Sequence, residues 1–150
     1  MKNTSALAVA LRLGSTVDVL SVLESGVDPN DSGEFHISRD DFEEKIELLI
    51  KHGWDINRCQ LLHDAKHGLG KRVEFYLKKG VDPNIRDSEG QNALHKFAAL
   101  GIGANTIRAL VEAGTNVFLE DNKGNSPLDL ARRAKRQSAL NALNQLVHRP

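Results

Sequence analysis

The sequence predicts an all-α protein built from stacked pairs of short antiparallel helices. Three observations predict it. A five-residue turn recurs as Gly26-Val27-Asp28-Pro29-Asn30, Gly53-Trp54-Asp55-Ile56-Asn57, Gly80-Val81-Asp82-Pro83-Asn84 and Gly114-Thr115-Asn116-Val117-Phe118. Each copy follows an apolar stretch with helical spacing, around Val19–Leu23, Ile46–Ile50, Val73–Leu77 and Ile107–Val111. A second signature precedes a helix: the run from Asp87 through Gly90 to Leu94-His95 returns from Asp121 through Gly124 to Leu128-Asp129, with Gln60-Leu61-Leu62-His63 as a weaker copy. Self-similarity of this kind marks a solenoid, in which each unit buries its apolar face only against a neighbour.

The elements follow in chain order. The first unit, residues 4–30, pairs a helix over Ala6–Leu13 with one over Thr16–Glu24. In the second, 31–57, the first helix would lie around Phe35-His36-Ile37-Ser38, lacks the apolar signature, and is expected to be a single turn or irregular. Its second helix is well marked. Asp41 is placed to cap it, Glu43 and Glu44 suit its positive N-terminus, and Ile46, Leu49 and Ile50 share a face. The third unit is 58–86, with Gly68-Leu69-Gly70-Lys71 as the loop between its helices. The fourth is 87–120, with Gly101-Ile102-Gly103 in the same role. The fifth, 121–150, is a terminal cap without the final turn. There Ser126 is a good N-cap and Pro127 sits at the first helical position, where its missing N–H costs nothing. A glycine just past each helix suits a left-handed C-terminal residue, and Asp or Asn beside Pro is turn chemistry.

A chain of 150 residues is expected to be one domain, and a domain of this size buries roughly 68–70% of its unfolded surface. No linker or low-complexity stretch divides it. Lys and Arg number 20, as do Asp and Glu, so the net charge is zero, which argues against a dedicated nucleic-acid binder. The total hides an asymmetry: residues 1–57 carry 5 basic and 11 acidic side chains, residues 58–150 carry 15 and 9. The one cysteine, Cys59, excludes an intramolecular disulfide framework and fits a reducing compartment. The longest apolar run, Ala6–Leu11, is far short of the roughly 20 residues that a membrane span needs. The expectation is a cytosolic protein.

The pattern resembles the ankyrin repeat. Leu94-His95-Lys96-Phe97-Ala98-Ala99 and Ser126-Pro127-Leu128-Asp129-Leu130-Ala131 match its first-helix core, and the Gly-x-Asp-x-Asn turns match its other end. The resemblance covers essentially the whole chain as about five repeats and implies an ankyrin solenoid with projecting turn fingers. The second and third repeats are shortened. Equivalent glycines are 27, 27 and 34 residues apart, and the loss lies between the turn asparagine and the following His. By resemblance, full fingers stand only before the first helices of repeats four and five.

Catalytic chemistry finds no support in the residue pattern. His63-Asp64 lacks the further ligands of a metal phosphohydrolase, and His63 and His95 are expected to be neutral imidazoles satisfying backbone groups. Cys59, His63 and His67 are spaced for one helix face but supply only three zinc ligands. The run from Ala65 to Arg72 fails the phosphate-loop pattern at both of those residues. No nucleophile has a triad context. The reading is a non-enzyme with no cofactor and no metal.

What remains is a surface for another protein. The full fingers would present Arg86, Ser88, Glu89 and Gln91 on one side and Glu120, Asn122, Lys123 and Asn125 on the other. By resemblance, Lys96 and Arg133 on the first helices join them, because that family binds partners through finger tips and its concave face. Trp54 stands where a turn usually has a small residue. It is either a contact residue or cover for the truncated finger. Phe118 replaces a turn asparagine and is either an exposed anchor or inter-repeat packing. The resemblance implies a module that recruits, scaffolds or inhibits a partner, either as an adaptor in the cell that makes it or as a bacterial effector in a host cytosol. Alone, the chain is expected to be monomeric. The alternatives are nucleic-acid contact through Arg132, Arg133 and Arg136, and head-to-tail self-association of the acidic and basic ends.

Overall fold

The computed structural model describes residues 2–32, 36–58 and 60–148. Among the described residues there are helices and turns and no strands. The chain divides into two compact units, residues 1–58 and 59–150.

In the first unit, α1 (Lys2–Leu13) and α2 (Thr16–Glu24) pack on each other and bury Leu7, Leu11, Val19 and Leu23. Ser15 caps α2 through a reciprocal box. Its Oγ accepts from the Asp18 N–H at 3.4 Å, and Asp18 Oδ2 accepts from the Ser15 N–H at 2.7 Å. A 3-10 turn over Pro29–Ser32 packs on α1, and α3 (Phe42–Lys51) packs on α2 through Ile46 and Leu49. A second 3-10 turn, Ile56–Arg58, closes the unit.

Repeat two shows no first helix among the described residues. Residues 36–38 are irregular, and the Ser38 N–H donates to the Leu11 carbonyl at 3.0 Å. Phe35, at the head of that expected helix, lies outside the described residues. Lys45 of α3 is buried beside this segment, with 1% of its surface exposed. Its ammonium donates to Gly14 O at 2.8 Å, Ser38 Oγ at 2.7 Å and Asp40 O at 3.5 Å, so three N–H groups meet three acceptors. Asp41 departs from its expected role: it precedes α3 with a left-handed backbone (φ 56°) and makes no side-chain cap bond.

The second unit holds three helix pairs: α4 (Leu61–Lys66) with α5 (Gly70–Lys78), α6 (Ala93–Leu100) with α7 (Ala104–Glu112), and α8 (Pro127–Arg133) with α9 (Gln137–Val147). The first helices form one row, α6 lying between α4 and α8. The second helices form another, α7 lying between α5 and α9. The rows enclose Leu61, Val73, Leu94, Phe97, Ile107, Leu110 and Leu143. Both expected loops are present, although Gly70 and Lys71 already belong to α5. Ser126 caps α8 as expected, with Pro127 at the first helical position.

The four recurrent glycines, Gly26, Gly53, Gly80 and Gly114, have φ of 90°, 88°, 86° and 99°, which a side chain would strain. Beyond each, an Asp or Asn carboxyl or amide oxygen accepts from the N–H two residues on: Asp28 from Asn30, Asp55 from Asn57, Asp82 from Asn84 and Asn116 from Phe118, at 2.8–3.0 Å. Two of the turn asparagines then reach the following turn. Asn30 donates to Gly53 O at 2.9 Å and accepts from the Asp55 N–H at 2.9 Å. Asn84 does the same with Gly114 O and the Asn116 N–H, at 3.3 and 3.4 Å.

Candidate functional site

Residues 85–91 and 119–125 form the two full fingers, each organised by its aspartate. Asp87 Oδ1 accepts from the N–H groups of Glu89 and Gln91, both at 2.9 Å. Asp121 Oδ1 accepts from those of Lys123 and Asn125, also at 2.9 Å. Backbone bonds from Asp87 N–H to Gln91 O and from Asp121 N–H to Asn125 O complete each turn, at 3.0 and 2.9 Å. Burial would raise both carboxyls, but the donors outweigh it. The Lys96 ammonium and the Gln91 N–H hold Asp87 below the usual carboxylate range. The Asn125 N–H and the Gln91 amide hold Asp121 at about 2. Sequence reasoning placed neither aspartate in the site. The signal was present, because Asp and Gly recur three residues apart in both fingers.

The fingers are bonded to each other. The Asn122 N–H donates to Glu89 O at 3.0 Å, and its amide donates to Ser88 O at 2.9 Å. The Arg86 guanidinium donates to Gly90 O at 2.8 Å and to Glu120 O at 2.7 Å. The Gln91 amide donates to Asp121 Oδ2 at 3.0 Å. Gly90 lies where the fingers meet, with φ 76°. A Cβ there would press on Asn122 Oδ1 and Arg86 Nη2. Beneath them His95 is fully buried. Its Nε2 lies 3.1 Å from the Asn125 carbonyl, which only accepts, so Nε2 carries the proton. Burial lowers the His95 pKa.

This sorts the expected contact residues. Arg86, Gln91, Asn122 and Lys96 direct their polar groups into the finger framework, Lys96 through an ion pair with Asp87. Asn125 is buried, its amide turned to Asp121 at 3.3 Å. Trp54 is only 7% exposed, so its ring is buried and offers little contact surface. Ser88, Glu89, Glu120, Lys123 and Arg133 are exposed, as are Arg86 and Asn122 despite their bonds, and Phe118 is 63% exposed rather than packed between repeats.

The other candidates fall elsewhere. Cys59 lies outside the described residues. His63 is exposed, unlike buried His95, and its ring lies 4.4 Å from that of His67. The Gln60 side chain before α4 makes no cap bond, whereas Asn92 and His95 form a reciprocal box at the start of α6. Asp64 is buried with the Tyr76 hydroxyl at 3.2 Å and Arg72 at 3.9 Å. Among the described residues no three His, Cys, Asp or Glu side chains are grouped to hold a metal, and no helix is long and apolar enough to cross a membrane.

A family model described as ankyrin repeats (3 copies) matches residues 61–148, more than half of the chain. Human SH3 and multiple ankyrin repeat domains protein 2 is 33% identical over 97 residues, 64% of this chain and 5% of that protein. The potassium channel SKOR of Arabidopsis thaliana is 44% identical over 55 residues, 37% and 6% respectively. Human diacylglycerol kinase iota is 38% identical over 82 residues, 52% and 8%. The chain thus spans a small fraction of the length of these relatives.

Proposed function

The chain belongs to the ankyrin repeat family, whose repeats are generally protein–protein interaction modules, and from that premise we propose that it is a non-catalytic module that recruits, scaffolds or inhibits another protein through its finger turns. The observation that carries this reading is the division of labour in the fingers. Arg86, Gln91, Asn122, Asp87 and Asp121 hold the two turns against each other, while Ser88, Glu89, Glu120 and Lys123 remain exposed on them. A surface already fixed in its bound shape loses less side-chain and loop entropy on association. Lys96 acts from beneath as a positioning residue through Asp87, and Arg133 and Phe118 extend the exposed edge. A cytosolic setting belongs to the same reading and rests on the single cysteine and the family's usual habitat. The recruiting surface takes no cofactor.

The test is capture from a lysate of the source cells, with wild type beside a Glu89→Lys/Lys123→Glu variant. Both side chains are exposed and outside the finger hydrogen bonds, so helix content by circular dichroism should match. A protein retained by wild type and lost from the variant supports the finger surface. Equal retention by both moves the site away from the fingers, and retention abolished by nuclease replaces a protein partner with a nucleic acid.

A further inference from the structure

Two surfaces outside the fingers carry features that a solvated helix face does not explain. The first belongs to the N-terminal helix pair. Val9 is 46% exposed, and Leu13 and Val17 are each 74% exposed. Val9 and Leu13 lie one helical turn apart on α1, and Val17 stands just past the connecting turn, in α2. Helices turn their polar residues to solvent by default. This pair exposes three branched aliphatics within an acidic unit. All ten carboxylates whose side chains are described in residues 2–58 are exposed, against the exposed cations Arg12, Arg39 and Lys51, while Lys45 is buried.

The second surface is the turn between α8 and α9. Arg132, Arg133, Lys135 and Arg136 are all exposed within five residues. Lys135 takes a left-handed backbone, φ 53°, so the run follows a tight turn. Arg136 lies along Gly101 and donates to Ala99 O at 3.4 Å, and Arg132 is 3.9 Å from Asp129. The stretch from Pro127 to Asn141 holds no aromatic residue, so stacked bases find no platform there.

We propose that the chain binds a second copy of itself head to tail, the basic α8–α9 turn of one copy docking on the exposed aliphatic face of α1 and α2 in the acidic first unit of the next. The charges that favour the contact are opposite and of the same size: 5 basic against 11 acidic side chains in residues 1–57, 15 against 9 in residues 58–150. The aliphatic trio supplies the apolar centre, and the opposite net charges of the two units steer and align the encounter. Because the two patches differ, the contact is heterologous and propagates or closes as a ring, unlike a two-fold dimer. This departs from the monomer expected of the sequence and gives its head-to-tail alternative a definite pair of surfaces, which the sequence did not single out.

Sedimentation and light scattering of the purified chain test it. At about 0.1 M salt, where the screening length is ~10 Å, mass should rise with protein concentration; at about 1 M, where it is ~3 Å, the apparent dissociation constant should be at least ~10-fold weaker. A cap variant, Arg132→Gln/Arg133→Gln/Lys135→Asn, and a face variant, Leu13→Ser/Val17→Ser, should each fail to assemble alone. Mixed, they should form a one-to-one complex and stop, because each keeps one working surface. Circular dichroism checks the fold, with Leu13→Ala/Val17→Ala in reserve. A wild-type chain that stays monomeric at about 0.1 mM, where even weak encounters register, overturns the proposal. So do variants that assemble like wild type, a mixture that forms no complex, and an assembly that nuclease dissolves, which would give the basic turn to nucleic acid.

Discussion

Burial keeps the His95 imidazole neutral near pH 7, and its Nε2–H ties α6 to the finger carbonyl of Asn125. Its pKa lies below the ordinary value of 6.5, burial being the largest cause and the bond to Asn125 opposing it. As pH falls through 6.5 the unfolded chain therefore takes up a proton before the folded one, and stability declines until folded His95 is protonated as well. Urea midpoints should fall between about pH 7 and pH 5, and the fall should shrink in His95→Gln. An unchanged slope would assign it to other histidines. Asp64 has the opposite sign. Burial raises its carboxyl above 3.8, ahead of Arg72 and the Tyr76 hydroxyl, which lower it. Its contribution is complete below 3.8 and is lost as pH rises through the folded value. Asp64→Asn keeps an acceptor for Tyr76 and should leave the unfolding free energy at pH 7 unchanged or raise it by up to about 1 kcal/mol. A loss greater than that would show that pairing with Arg72 outweighs burial. At this scale the sequence is a partial guide. It identified His95 and left Trp54 open between contact and cover, but it put Asn125 on the surface and missed buried Lys45, because burial depends on partners that a local pattern does not name.

Helices were the most legible elements, announced by apolar spacing and, in the second helices of the first four repeats, by a glycine stop. The bounds of α2 coincide with the expected Thr16–Glu24, and α8 begins at Pro127 after its Ser126 cap. The second repeat was legible only in its latter half. Among the described residues no first helix stands there, and Ser38 and Lys45 instead contact residues 11, 14 and 40, which no local pattern reveals. Asp41 is the clearest misreading. Asp is a favoured capping residue, but the cap needs an extended backbone, and the turn into α3 imposes φ 56° instead. Asp41→Gly should therefore raise stability by a few tenths to about 1 kcal/mol, the left-handed penalty relieved less the extra chain entropy of glycine. A lower urea midpoint would show that the Asp41 side chain serves a role of its own. The fingers lie between these cases: their position follows from the spacing, whereas their mutual bonding does not.

For the whole chain, the sequence reading of one domain makes a definite prediction across the two compact units. Leu49 belongs to the first and Leu94 to the second, and both are fully buried. Replacing either with Ala should cost about 2–5 kcal/mol. If the five repeats unfold as one cooperative body, each substitution shifts the same single thermal transition. If each shifts only one of two transitions, the units fold independently. A last consequence belongs to the asparagine turns. Asn30 and Asn84 each supply both halves of a joint, an amide N–H for the next turn's glycine carbonyl and an oxygen for its N–H. Phe118 occupies the same place in the fourth turn and has neither half. Lengthening this array by tandem duplication of residues 87–120 would thus yield a seam with its tenon cut off, which only a return to asparagine at 118 would mend. That one position sets where new repeats can be spliced in, and a designer extending the protein should begin there.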